Sequence, residues 1–183
     1  VQDTARLHRD ADRLFRNAGN GAGRTRMRAD ATLRAAKSPR GTMLATGEDV
    51  PKGQSVRARL LVVETSPGDI NWERLTQRQA DAAAGRLAGR LAAAMSAYVS
   101  WVAGRYDEIV AAKPDRVAEL RTEATASSQH KRTPGIVAEL FFGTETFLDF
   151  AEDVGAITPQ EAEQTRERVW EGLGMAAAAQ RVI

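Results

Sequence analysis

The sequence predicts a mostly α protein with a small β part, two strands followed by a bundle of about four helices. Residues 41–46 and 56–64 are short apolar, partly β-branched runs bounded by Gly and Pro, which is the pattern of strands. Long Ala- and Leu-rich segments around them repeat their apolar residues at helical spacing. Helix-start signals recur at Thr76, Thr133 and Thr158. Two strands alone are marginal in water, so this pair is expected to join strands elsewhere in a larger protein or to pack tightly on the helices that follow.

Leu7, Ala11, Leu14, Phe15 and Ala18 predict an amphipathic first helix, stopped by Asn17, Gly19, Asn20 and Gly21. Arg6, Arg9, Arg13 and Arg16 fall mostly off its apolar face and alternate with Asp3, Asp10 and Asp12, as on a solvated surface. Residues 19–40 are Gly- and Arg-rich with few apolar side chains, and read as a loop. The first strand, 41–46, ends in Thr46, Gly47, Glu48 and Asp49. In the second, Arg57 and Arg59 share one face before the continuous apolar run Leu60, Leu61, Val62, Val63, typical of a strand covered on both sides.

Pro67, Gly68 and Asp69 close the strand region, and Thr76 with Gln79 has capping-box spacing. The long helix expected there carries Leu87, Leu91, Met95, Tyr98 and Val102 as a core stripe. Ala83, Ala84, Ala88, Gly89 and Ala92 around that stripe would allow close packing. Pro114 is expected to break this pattern before a more polar helix with Val117 and Leu120. His130, beside Lys131 and Arg132, reads as a solvated loop residue. Thr133-Pro134 and Thr158-Pro159 each place a capping hydroxyl before a first-turn Pro, and Glu161 completes a capping box in the second. Ile136, Val137, Leu140, Phe141, Phe147, Leu148 and Val154 form the apolar face of one helix. Ala162, Val169, Trp170 and Leu173 form that of the other.

A chain of 183 residues, 43% of them hydrophobic, suffices for one domain or one and a part. There is no cysteine, hence no disulfide framework or thiolate zinc site, and His8 and His130 are too distant to suggest a ligand pair. Arg86 and Arg90 interrupt the most Ala-rich stretch, so no apolar run reaches the roughly 18 residues of a membrane span. A cytoplasmic protein is expected. Acid pairs such as Glu152-Asp153 read as solvated helix faces, and neither a nucleophile elbow nor metal-ligand spacing occurs. Charge is uneven: residues 1–60 hold 13 Lys and Arg against 6 acids, and residues 61–183 hold 13 against 18. A +7 half beside a −5 half suits an anionic partner such as nucleic acid, although a solvated basic loop gives the same count.

Ala-Thr-Gly-Glu-Asp-Val-Pro at 45–51, Gly-Gln-Ser-Val-Arg-Ala-Arg-Leu-Leu-Val-Val-Glu at 53–64 and the Gly/Arg segment at 19–30 carry a resemblance. They resemble the end of the P-loop ATPase module found behind primase-polymerase domains in bacterial mobile elements and phages. The resemblance implies that residues 1–70 end a RecA-like core and that residues 71–183 form the helical bundle beside it. By the same resemblance the chain would be the carboxyl-terminal fragment of a helicase-like motor of a DNA primase-helicase. It would act on DNA as a homo-oligomer, with ATP and Mg bound by the full-length parent and no membrane involved. Its neighbours would be the rest of the ATPase domain or adjoining subunits. The chain alone has no Gly-Lys-Ser/Thr loop, so it is expected to bind no nucleotide by itself.

On this reading Thr46 and Glu48, at a strand end, are candidates for sensing nucleotide, with a plain turn as the competing reading. Arg57 and Arg59 are candidates for arginine fingers acting in trans, or else the charged mouth of a strand. Arg24, Arg26, Arg28, Arg34, Lys37 and Arg40, against the single acid Asp30, are the candidate nucleic-acid contacts, since guanidinium groups fork onto phosphate oxygens. The alternative from another class is a non-enzymatic helical module that binds nucleic acid or serves assembly.

Overall fold

The computed structural model describes residues 4–21, 26–35, 41–47, 50, 53–87, 89–125 and 132–180. Among them are seven helices: α1 Thr4–Gly19, α2 Gln54–Arg57, α3 Trp72–Ala83, α4 Arg90–Gly104, α5 Tyr106–Thr125, α6 Thr133–Asp153 and α7 Pro159–Ala179. The described residues contain no strand and no sheet, and the two-stranded end of a RecA-like core is therefore overturned. Residues 41–47 are irregular and exposed. Residues 54–57 are helical, 58–59 turn, and the run after them is irregular without a β partner.

The physical reason lies in where the apolar run finds cover. The Gly53 carbonyl accepts the amides of Val56 and Arg57, which closes α2 and buries Val56 completely. Leu61 then packs against Ala124, Val137 and Ala177 at the end of the bundle. The Gln180 side-chain amide donates to the carbonyls of Arg57 at 2.8 Å and Leu60 at 2.7 Å. Buried carbonyls must be paired, and here a side chain does what a neighbouring strand would otherwise do. A hydrophobic run bounded by Gly and Pro thus becomes a strap over helices.

The expected helical bundle is present, and α5, α6 and α7 build its core. Leu120, Ala138 and Phe141 form one cluster with Val117, Phe142, Val169, Trp170 and Leu173 around it, and Ala124, Val137 and Ala177 form the next. Trp170 touches both clusters and meets Phe141 edge-to-face, ring centroids 4.8 Å apart. Ion pairs border the apolar seam. Lys113 and Arg116 of α5 reach Glu139 and Glu145 of α6 at 2.7 and 2.6 Å. Arg166 of α7 reaches Asp149 and Glu152 of α6 at 2.8 and 2.7 Å. The two-pronged hydrogen bond to Glu145 raises the pKa of Arg116 above the ordinary arginine value.

Several local expectations change. Pro114 lies inside α5 instead of ending a helix. The predicted start at Thr76 is displaced to Asn71, whose side chain accepts the Arg74 amide, so Thr76 sits within α3. The long helix divides at residues 84–89, where Gly85 and Gly89 both take φ of 73°. That left-handed geometry suits Gly and ends a helix. Thr133 is not a cap: it is the buried first residue of α6, behind Arg132. Glu152 and Asp153 are not merely solvated, because Arg166 holds the first. The second accepts Trp101 Nε1 and Arg105 Nη2, both at 2.9 Å, while the Arg105 guanidinium lies 4.4 Å from the Trp101 ring centroid. These contacts, with Tyr98 against Phe147 and Phe150, moor α4 to the end of α6.

The capping box at Thr158 forms as its spacing predicts: Thr158 Oγ1 accepts the Glu161 amide at 3.2 Å and Glu161 accepts the Thr158 amide at 2.8 Å. That backbone bond, followed by the Thr158 hydroxyl, holds the Glu161 carboxylate below the ordinary glutamate value of 4.5. A depressed carboxylate contributes its full stabilisation above the unfolded-state pKa and loses it as pH falls through the lower folded-state one. A side-chain NMR titration of Glu161 is expected to give a midpoint below 4.5 that moves back up in Thr158→Ala. A wild-type midpoint at or above that value would show that the box does not hold in solution.

Candidate nucleic-acid interface

Residues 26–34 fold back on themselves as a small antiparallel turn. Met27 bridges Leu33, the Arg28 amide donates to the Thr32 carbonyl at 2.8 Å, and the Arg34 amide donates to the Arg26 carbonyl at 2.8 Å. Asp30 closes the tip by accepting the Thr32 amide at 3.0 Å and the Thr32 hydroxyl at 2.7 Å. An Asp bonded to the backbone two residues on is the standard chemistry of a tight turn. The hydroxyl bond, then the amide bond, lowers the Asp30 pKa. The segment's acid is therefore engaged within the turn.

Side chains alternate across paired extended backbone. Pairing of residue 26 with 34 and of 27 with 33 therefore sets Arg26, Arg28 and Arg34 on one face, and Met27 and Leu33 on the other. All three arginines are exposed and make no ion pair among the described residues. Arg28, Ala29, Asp30, Arg34 and Ala35 line a concavity of ≈ 620 Å³, wide open to solvent. An open basic surface suits a polyanion's backbone better than a small molecule, which needs enclosure.

The other sequence-predicted residues are dispersed. Arg24, Lys37, Arg40 and Glu48 lie outside the described residues. Thr46 is exposed in irregular chain and makes no hydrogen bond to Arg57 or Arg59. Arg57 ends α2, and its Nε is enclosed without a hydrogen-bond partner among the described residues. Arg59 is an internal tie: Nε donates to Asn20 Oδ1 at 3.0 Å, and Nη1 donates to Ser55 Oγ at 2.8 Å and to the Ser55 carbonyl. Its aliphatic stem crosses Gly19 so closely that a Cβ there would lie 2.9 Å from Cδ. Ser55 Oγ also receives Arg16 Nη1 at 3.3 Å, and Arg16 pairs with Asp12 at 2.8 Å. Five residues thus lash the end of α1 to the segment around α2. Sequence reasoning named only Arg59 for chemistry and missed Asn20 and Ser55, because polar residues in Gly-rich stretches announce a turn, not their distant partners.

Among the described residues no three His, Asp or Glu side chains are placed to hold a metal ion. No described helix is long and apolar enough to cross a membrane. Compared with models of known families, with curated proteins and with solved structures, the chain matches none.

Proposed function

We propose that the chain is a non-enzymatic helical module that binds nucleic acid through its basic N-terminal part, with α4–α7 as the scaffold and the cytoplasm as its setting. The observation that carries this reading is the single face holding Arg26, Arg28 and Arg34, with Asp30 turned into the loop's own hydrogen bonds. Three guanidinium groups on one exposed face offer forked donors to successive phosphates without reading base edges. The +7 charge of residues 1–60 extends the same field. The motor reading needed strand ends to form a nucleotide site, and the described residues have no strands.

Anisotropy titration of a labelled single strand and of a duplex, at several salt concentrations, tests the proposal. Binding should weaken with salt on a log–log slope of roughly −0.7 per phosphate contact for the single strand and −0.9 for the duplex. The triple substitution Arg26→Ala, Arg28→Ala, Arg34→Ala should make the slope about 2–3 units shallower and leave the helical circular dichroism unchanged. A wild-type slope near zero, or an unaltered slope in the triple variant, would remove this face from the interface.

A further inference from the structure

We propose that α4 is the contact helix of a two-fold symmetric dimer of this chain, a surface separate from the basic turn and independent of the nucleic-acid reading. From Leu91 to Gly104 the helix has no charged side chain, yet none of its residues is buried. Its inner side rests on α6 through Tyr98 and Trp101. Beside that contact Leu91, Met95 and Val99 follow one another at four-residue intervals, 69%, 59% and 58% exposed. Ala92, Ser96 and Ala103 flank this row, and they too are exposed. A helix apolar on all sides belongs in an interior, and one of 15 residues has the length of a core helix, well short of a membrane span.

The occupant follows from what the face lacks. With no charge between Leu91 and Gly104 there is nothing for a charged partner to pair with, so the complementary surface is also apolar, uncharged and straight over roughly 21 Å. A second α4 meets each condition. Crossed antiparallel on a two-fold axis near Met95, each row lies on the other, as an isologous contact requires. The small flanking residues let the axes approach to about 8–10 Å. The row, its small neighbours and the half-exposed Phe147 ring beside Tyr98 leave roughly 500 Å² of surface per chain. Two copies would bury roughly 1,000 Å², the threshold of a specific interface.

Sedimentation equilibrium of the full chain from about 1 to 200 μM should show a monomer–dimer equilibrium. Met95→Glu and Val99→Lys should each raise the dissociation constant at least about tenfold while far-UV circular dichroism stays the same. Because the chain has no cysteine, Met95→Cys supplies its sole thiol, which should oxidise to a covalent dimer; Glu171→Cys, exposed on α7, should not. A monomer over the whole range overturns the proposal. So does a dimer indifferent to both charge substitutions, equal cross-linking at residue 171, or a monomer that binds phosphatidylcholine vesicles through Met95.

Discussion

Replacing Trp170 by alanine is expected to lower the stability of the chain by about 3 kcal/mol, at the lower end of the range for aromatic core truncations because the indole is partly exposed. Its ring lies against both core clusters, between α5, α6 and α7, and its contact with Phe141 adds an edge-to-face term. Removal leaves a cavity where three helices meet, and no neighbouring aromatic can slide in without leaving its own place. Trp170→Phe should keep most of the contact and lose less than half as much. Urea unfolding followed by circular dichroism measures both. A loss below about 1 kcal/mol for the alanine variant would mean that the seam between α6 and α7 is not where the stability resides.

Pro114→Ala is expected to act in the opposite direction, raising stability by about 1–3 kcal/mol. Pro114 is exposed in the interior of α5, so its ring buries little, and it removes the amide that would bond the Val110 carbonyl. Alanine restores that donor and the best helix propensity at no packing cost. The packing of Val117, Leu120 and Ala124 on their partners is what sustains the helix despite its proline. No rise in the urea midpoint would show that the proline-bearing turn is not helical in solution.

Thr158 and Glu161 were legible because a capping box is a contact between residues three apart, and nothing distant has to agree. Val137, Phe141 and Leu148 were legible as a face because helical periodicity announces burial whatever the partner is. The stripe of Leu91 and Met95 has the same periodicity and yet lies outward, because periodicity says that a face is apolar without saying what covers it. At the basic turn, the composition of residues 19–40 already marked the arginines. Their common face came from the pairing of 27 with 33, which the Asp30 turn sets.

By itself the sequence determined helices α6 and α7, the α7 cap, the stop after α1 and the concentration of positive charge before residue 60, since each depends on neighbours within a turn or two of chain. Only the tertiary structure decided that residues 56–64 are the end of a short helix, a turn and a strap and not a strand. A β-branched apolar run adopts whichever arrangement covers its side chains and pairs its carbonyls. Here Leu61 found Val137 and Ala177, and Gln180, more than a hundred residues away, supplied the hydrogen bonds that a neighbouring strand would have made.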